Sequence, residues 1–190
     1  MPAMTAAAAH PVALAPWQID TAHTEVEFAV RHLMISTVKG RFANVTGHVT
    51  YDPADPDALD VEVTIPVATV DTRVEPRDNH LRSADFFDAE HHPTITFRAR
   101  RVEGDVSRPF KLIGDLTIRG VTQGVTLDVT PEGGMNDPWG NERLGFSATG
   151  LIHRGDFGLH YNQVLEAGGV AVGEQVKLII KTEMIRPKQA

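Results

Sequence analysis

The sequence predicts an all-β fold: an eight-stranded antiparallel barrel with a short helical insertion at about residues 76–90. Three observations lead there. Apolar and polar residues alternate over long stretches, the period of a half-buried strand. Turn-forming clusters, DPADPDA at 52–58, RGVTQG at 119–124 and PEGGMNDPWGN at 131–141, help cut the chain into about eight such stretches. A single segment, between Pro76 and Pro93, breaks the period. Strands with one apolar face need that face covered, and closing the sheet on itself leaves no bare edge.

The elements follow in order. Residues 25–32 set Val26, Phe28 and Val30 against Glu25, Glu27, Ala29 and Arg31. In 36–51 the parity changes: Val38 and Phe42 share one face, Val45, Val49 and Tyr51 the other. An extra residue explains the switch, so a β-bulge is expected near Ala43-Asn44, where a closing barrel can bend. Leu59, Val61, Val63, Ile65 and Val67 line up in the next strand, and Ile95, Phe97 and Ala99 in the one after. Phe110, Leu112, Leu116 and Ile118 are followed by Val125, Leu127 and Val129, then by Leu144, Phe146, Ala148 and Ile152. Val176, Leu178, Ile180 and Met184 close the set. In the insertion, Leu81 and the Ala84/Phe86/Phe87 group have helical spacing, with Asp78 as the expected N-cap. Leu81, Phe86 and Phe87 would form a lid over one barrel end. Gly40, Gly114, Ala148 and Gly150 stand among large inward residues, where they would leave room for a ligand.

Composition narrows the function. A chain of 190 residues suits one domain, expected over 17–186, with a disordered tail at 1–16 and a short one at 187–190. Lys and Arg number 18 against 25 Asp and Glu, a net charge of -7, which argues against nucleic acid as a partner. The absence of cysteine excludes disulfides, thiolate metal sites and a cysteine nucleophile. No Lys or Arg precedes Arg31, and His10-Pro11 breaks the alanine-rich run, so no signal peptide is expected and a cytoplasmic protein is. No stretch approaches the ~20 apolar residues of a membrane-spanning helix, so no stable membrane insertion is expected.

The segment HRGDFGL at 153–159 contains an adhesion-like RGD and a kinase-like DFG. The kinase reading fails for want of the upstream Gly-rich loop, strand lysine and catalytic loop. The structural reading has Arg154 and Asp156 pairing or capping a turn, Phe157 plugging the barrel and Gly158 taking a backbone bend. Nine histidines raise a metal hypothesis. His91 and His92 are adjacent and point apart if extended, and His23, His80 and His92 could meet only through folding, so no metal is expected. A hydrolase would enlist His23 as base, Asp20 or Asp156 to orient it, and Ser36 or Ser83 as nucleophile, but no nucleophile elbow is present.

Read together, five blocks resemble the YceI-like family. They are IDTAHTEVEFAVRHL from Ile19 with VKGRF at 38–42, RDNHLRSADFFDAEHHPTITF at 77–97, GDLTIRGVTQGVTLDV at 114–129, RGDFGL at 154–159 and EAGGVAVGEQVKL at 166–178. Gly155, which completes RGD, falls at the variable position of the family's R-x-D-F-G block. The resemblance implies an extended lipocalin-like barrel, a homodimer, and a long isoprenoid lipid as partner: a polyprenyl phosphate or pyrophosphate, or a prenylated quinone. It also implies that the chain departs from the family's exported members. The expected function is non-enzymatic binding, storage or transport of that lipid, with no other cofactor. The alternatives are a stress-related structural or interaction protein with a filled barrel, and a small hydrolase. Val26, Phe28, Val30, Phe42, Phe97, Leu116, Phe146, Ala148, Phe157 and Leu178 are the expected lining. His23, Arg31, Arg41, His80, Arg82 and Arg154 are the expected headgroup or mouth residues, since a pyrophosphate needs cations and a quinone only hydrogen-bond donors.

Overall fold

The computed structural model describes residues 16–52, 54–164 and 170–187. Its elements are β1 (Trp17–Ile19), β2 (Glu25–His32), β3 (Ser36–Phe42), β4 (Thr46–Asp52), β5 (Asp55–Pro66), α1 (Glu75–Arg82), β6 (Thr94–Glu103), β7 (Phe110–Ile118), β8 (Val121–Asn136), β9 (Glu142–His153) and β10 (Val172–Arg186). The tails expected at 1–16 and 187–190 lie, apart from Pro16 and Pro187, outside the described residues.

The ten strands form eight staves. β1 and β2 are two lengths of one stave, separated by the 3-10 turn Thr21–His23, and both run antiparallel to β10. β3 and β4 are two lengths of the next, facing β2 and β1 respectively. From there each stave pairs with its chain neighbour, and β10 returns to the first, with Val30 opposite Val176 and Gln18 opposite Ile185. The result is the expected closed, up-and-down antiparallel barrel of eight staves. At about 3.3 Å per residue, a 12-residue stave such as β9 is about 40 Å long.

The parity change in the second stave is real. Phe42 and Val45 are both buried, and between them Asn44 takes a left-handed φ of 56°. Two further irregularities interrupt β6 between Ala99 and Arg101 and β8 between Pro131 and Gly133. Each adds a residue and bends its stave, as closure requires.

The insertion is shorter as a helix than expected. Helix α1 ends at Arg82, and the chain then folds back in turns, with Phe87 N–H donating to Leu81 O and Ala89 N–H to Arg82 O. Asp78 is not the N-cap. Val74 holds that position, and Asp78, inside the helix, accepts from Thr72 N–H (2.8 Å) and Thr72 Oγ1 (2.5 Å). The carboxylate thus ties the helix to the strand-side segment before it. Arg82 does the same from the other end, donating to Ala68 O (3.0 Å) and Val70 O (3.1 Å).

The barrel's two ends differ. Segment 67–93, the β2–β3 turn, the Arg119-Gly120 hairpin and residues 154–164 and 170–171 gather at one end, called here the lid end. Segment 67–93 covers the gap there, where β3 has no ladder with β5 or β6. The opposite end carries the β6–β7 loop, 104–109, and the β8–β9 loop, 137–141.

Candidate functional site

A cavity of about 380 Å³ runs along the barrel, within the range of about 300–1,000 Å³ common for ligand sites. It extends from Trp17, Tyr51 and Val106 at the far end to Leu81, Phe86 and Phe87 under the lid. Among the described residues its polar side chains are Thr24, Tyr51, Thr182 and Arg154, with the Trp17 indole. The wall is hydrocarbon because period-two alternation sends one side chain of every pair inward from all eight staves.

Nine of the ten expected lining residues face this cavity: Val26, Phe28, Val30, Phe42, Phe97, Leu116, Phe146, Ala148 and Leu178. Phe157 does not. It is 1 % exposed and packed into the core at the lid end. The small inward residues leave less room than expected. A side chain at Gly40 would overlap the Phe28 ring, one at Gly114 the Phe97 ring, and one at Gly150 the Leu127 methyl. Those glycines accept rings and methyls from neighbouring staves, so the hollow lies elsewhere. Toward the far end Phe110, Leu112, Leu144 and Phe146 are only half-buried, although they point inward.

The expected headgroup residues are scattered. Arg154 alone among them reaches the cavity, and its guanidinium is engaged. Nε donates to Gly173 O (3.0 Å), Nη1 to Leu159 O (2.7 Å) and Tyr161 O (2.8 Å), and Nη2 to Glu174 Oε1 (2.9 Å). It therefore pairs with Glu174 and not with Asp156, which is exposed. Residues Arg154–Phe157 form a 3-10 turn closed by Gly158 at φ 75°, so the bend falls where expected. With Arg154 buried, this RGD cannot present its cation to a receptor.

The other five lie outside the lining. Arg31 donates to Met34 O, Arg41 pairs with Asp71 (2.9 Å), and Arg82 braces the lid. His80 bonds Asp85 (2.8 Å) and packs edge-on against Phe86 and Tyr161, joining the lid to the segment after the RGDF turn. His23 bonds Asp20 (3.0 Å) on the outer surface.

Asp20, His23 and Glu183 bring their ligand atoms within 4.8 Å of one another. Arg143 already serves this group. Its Nη1 donates to Asp20 (2.7 Å) and Glu183 (3.1 Å) and its Nε to Asp137 (3.0 Å), so a guanidinium supplies the positive charge a metal would bring. Burial pushes the Asp20 carboxyl up, but Arg143 and His23 outweigh it and hold it below the usual carboxylate range. The nucleophile candidates have other tasks: Ser36 Oγ bonds His32 O across the β2–β3 turn, and Ser83 Oγ bonds His80 O at the end of α1. Ser36 lies at the lid-end tip of the stave pair and His23 at its opposite end, about eight residues, or roughly 26 Å, along β2.

Thr24 and Thr182 were missed by motif reading. Their hydroxyls meet at 2.9 Å inside the barrel, and both lie on the inward parity of their strands, in line with Val26 and Ile180. Extending the alternation by one step identifies them.

The family follows from the whole chain. The YceI-like domain model matches residues 17–184. This chain belongs to the YceI-like family. The UPF0312 protein SA2479 of Staphylococcus aureus (strain N315) is 39% identical over 165 residues, covering 86% of this chain and 94% of that protein. Among solved YceI-like structures, the Campylobacter jejuni YCEI protein is 33% identical, covers 83% of this chain and 90% of its own, and superposes with a TM-score of 0.69. Burkholderia cenocepacia BcnA shares the fold at a TM-score of 0.72 and 22% identity, over 89% of this chain and 99% of that one. A polyisoprenoid binding domain from Saccharophagus degradans, implicated in plant cell wall breakdown, shares it at 0.62 and 16%, over 90% and 98%.

Proposed function

We propose that this protein binds the hydrocarbon chain of an isoprenoid lipid inside the barrel, as a carrier or store and not as an enzyme. The observation that carries this reading is the cavity: it runs along the barrel and its wall is almost wholly hydrocarbon. The family and the name of the Saccharophagus degradans domain point the same way. Desolvation supplies the affinity. At about 0.8 kcal/mol per buried CH₂, some ten such groups, two or three prenyl units, approach the roughly 8 kcal/mol of micromolar binding before ordering costs.

The wall also favours one headgroup class over another. A pyrophosphate inside would need uncommitted cations, whereas the guanidinium at the cavity already binds three carbonyls and Glu174. Thr24, Thr182 and Tyr51 offer hydroxyls, which suit an uncharged, hydrogen-bonding headgroup such as a prenylated quinone. Carriage between membranes and pairing as a homodimer belong to the same proposal.

Native mass spectrometry of the freshly purified protein, followed by lipid identification after denaturation, tests it. A stoichiometric co-purified prenyl lipid is expected. Phe146→Glu should fold and lose that lipid, because it places a carboxylate in the hydrocarbon wall. An empty protein that also fails to take up added prenylated quinone would sink the reading. Light scattering of the purified protein tests the dimer.

A further inference from the structure

The β2–β3 turn departs from what hairpin chemistry favours. Leu33 and Met34 are its central residues, both left-handed at φ 51° and 58°, and Ile35 N–H closes it onto His32 O (3.1 Å). Two central residues at positive φ call for Asn-Gly or a close relative. The β7–β8 hairpin of this chain meets that demand at its second position, with Arg119 at 51° followed by Gly120 at 73°. At 33–35 the chain instead puts three large apolar side chains in water: Leu33 is 36% exposed, Met34 60% and Ile35 80%. A turn that is both strained and apolar breaks two local rules at once, the mark of a functional device.

The surroundings indicate what covers it. Leu33 N–H donates to Ala171 O (2.9 Å), which sets the exposed Val164–Val170 bridge beside the tip. In a chain of net charge -7, residues 28–51 contain no carboxylate, while Arg31, Lys39 and Arg41 are all there. Arg31 and Lys39 are exposed on the two strands of the hairpin, and Arg31 reaches under the tip to Met34 O. Among the described residues of the lid end, Asp71 is paired with Arg41 and Glu174 with Arg154, which leaves Arg31 and Lys39 as the exposed cations of the hairpin. A convex apolar knob above a collar of cations matches an anionic bilayer, whose acyl boundary takes the knob and whose headgroups take the collar. A second copy of the chain is a poorer match, since two such tips would bring like charges together.

We propose that the Leu33-Met34-Ile35 tip docks the lid end of the barrel peripherally on an anionic lipid surface. The docked turn would lie beside the segment whose Tyr161 packs against His80 and Phe86 of the lid. The proposal does not depend on the cavity's cargo, and its test is separate from that of the cargo.

The test is flotation of the full chain with phosphatidylcholine vesicles, with and without phosphatidylglycerol. The wild type should float with the anionic vesicles. Ile35→Asp should reduce association about tenfold or more, and Lys39→Gln should lower the preference for phosphatidylglycerol. The decisive variant is Leu33→Asn with Met34→Gly, which installs the favoured turn. It should melt higher, by about 3 °C, while binding vesicles less. Uptake of a soluble fluorescent prenyl probe should be unchanged in all of them, which keeps a failure of docking distinct from a failure of cargo binding. A wild type that stays with the unbound protein, or an Asn-Gly variant that floats as the wild type does, overturns docking. So does an Ile35→Asp variant whose only change is its oligomeric mass.

Discussion

The lid end and the far end of the barrel are built from the same alternation and line one cavity, yet side chains are packed more deeply at the lid end than at the far end. At the lid end Val67, Val70 and Phe157 are each 1% exposed, and Phe42, Ile95, Leu116 and Ile118 close around them. At the far end Phe110 and Phe146 meet edge-on at 6.3 Å, and both remain half-buried although they point inward. Hydrophobicity does not separate the two regions; occupancy does. A segment outside the ladder, 67–93 with the 154–157 turn, supplies the extra side chains that fill one end. The far end has only its connecting loops. A barrel of this kind becomes a binding protein wherever nothing from outside its staves plugs it.

The comparison can be broken at three points. Phe157→Ala removes a ring from the filled end and should cost about 4 kcal/mol in urea unfolding. Phe110→Ala enlarges space already present, so its cost should be nearer 1 kcal/mol. Equal costs would show that the far end is as packed as the lid end. The smallest effect concerns the far-end loop that holds Trp139 79% exposed. Burial pushes the Asp137 carboxyl up, but Asn141, Arg143 and the Trp139 N–H together hold it down at about 2. Its folded value lies below the ordinary 3.8, so its contribution is complete above that value and is lost as pH falls from about 4 toward 2. Trp139 fluorescence, read in a Trp17→Phe background, should shift across that window, and Asp137→Asn should abolish the shift. A shift that persists in the variant would place the acid transition in another group.

Much of the fold was legible in the chain. Period two identified all eight staves, and the parity change at Ala43-Asn44 located a bend. The same signal was present at Arg100, where inward Ala99 is followed by inward Val102, and it went unread. The insertion was overextended as a helix because Leu81, Phe86 and Phe87 share a spacing that turns also satisfy. Asp78 was misplaced because Thr72, six residues earlier, offers it two donors that sequence distance hides. The cavity was legible as a set of inward residues but not as a place. Whether a glycine leaves a hole or receives a ring depends on which way Phe28 and Phe97 swing, and rotamers are decided by packing. The headgroup candidates were the least legible, since a cation's role depends on which carboxylate or carbonyl the fold brings near it.

The seam between the first and last staves has an engineering consequence. Every other pairing joins neighbours in the chain, and only β10 with β1 and β2 joins its two extremes. Topologically the molecule is a loop of staves cut at one place, and that cut can be moved. A circular permutant that links residue 187 back to residue 16 and opens the chain between Gly104 and Pro109 keeps every ladder in register. Such a rearranged chain should still fold, with its new ends at the same rim as the old ones.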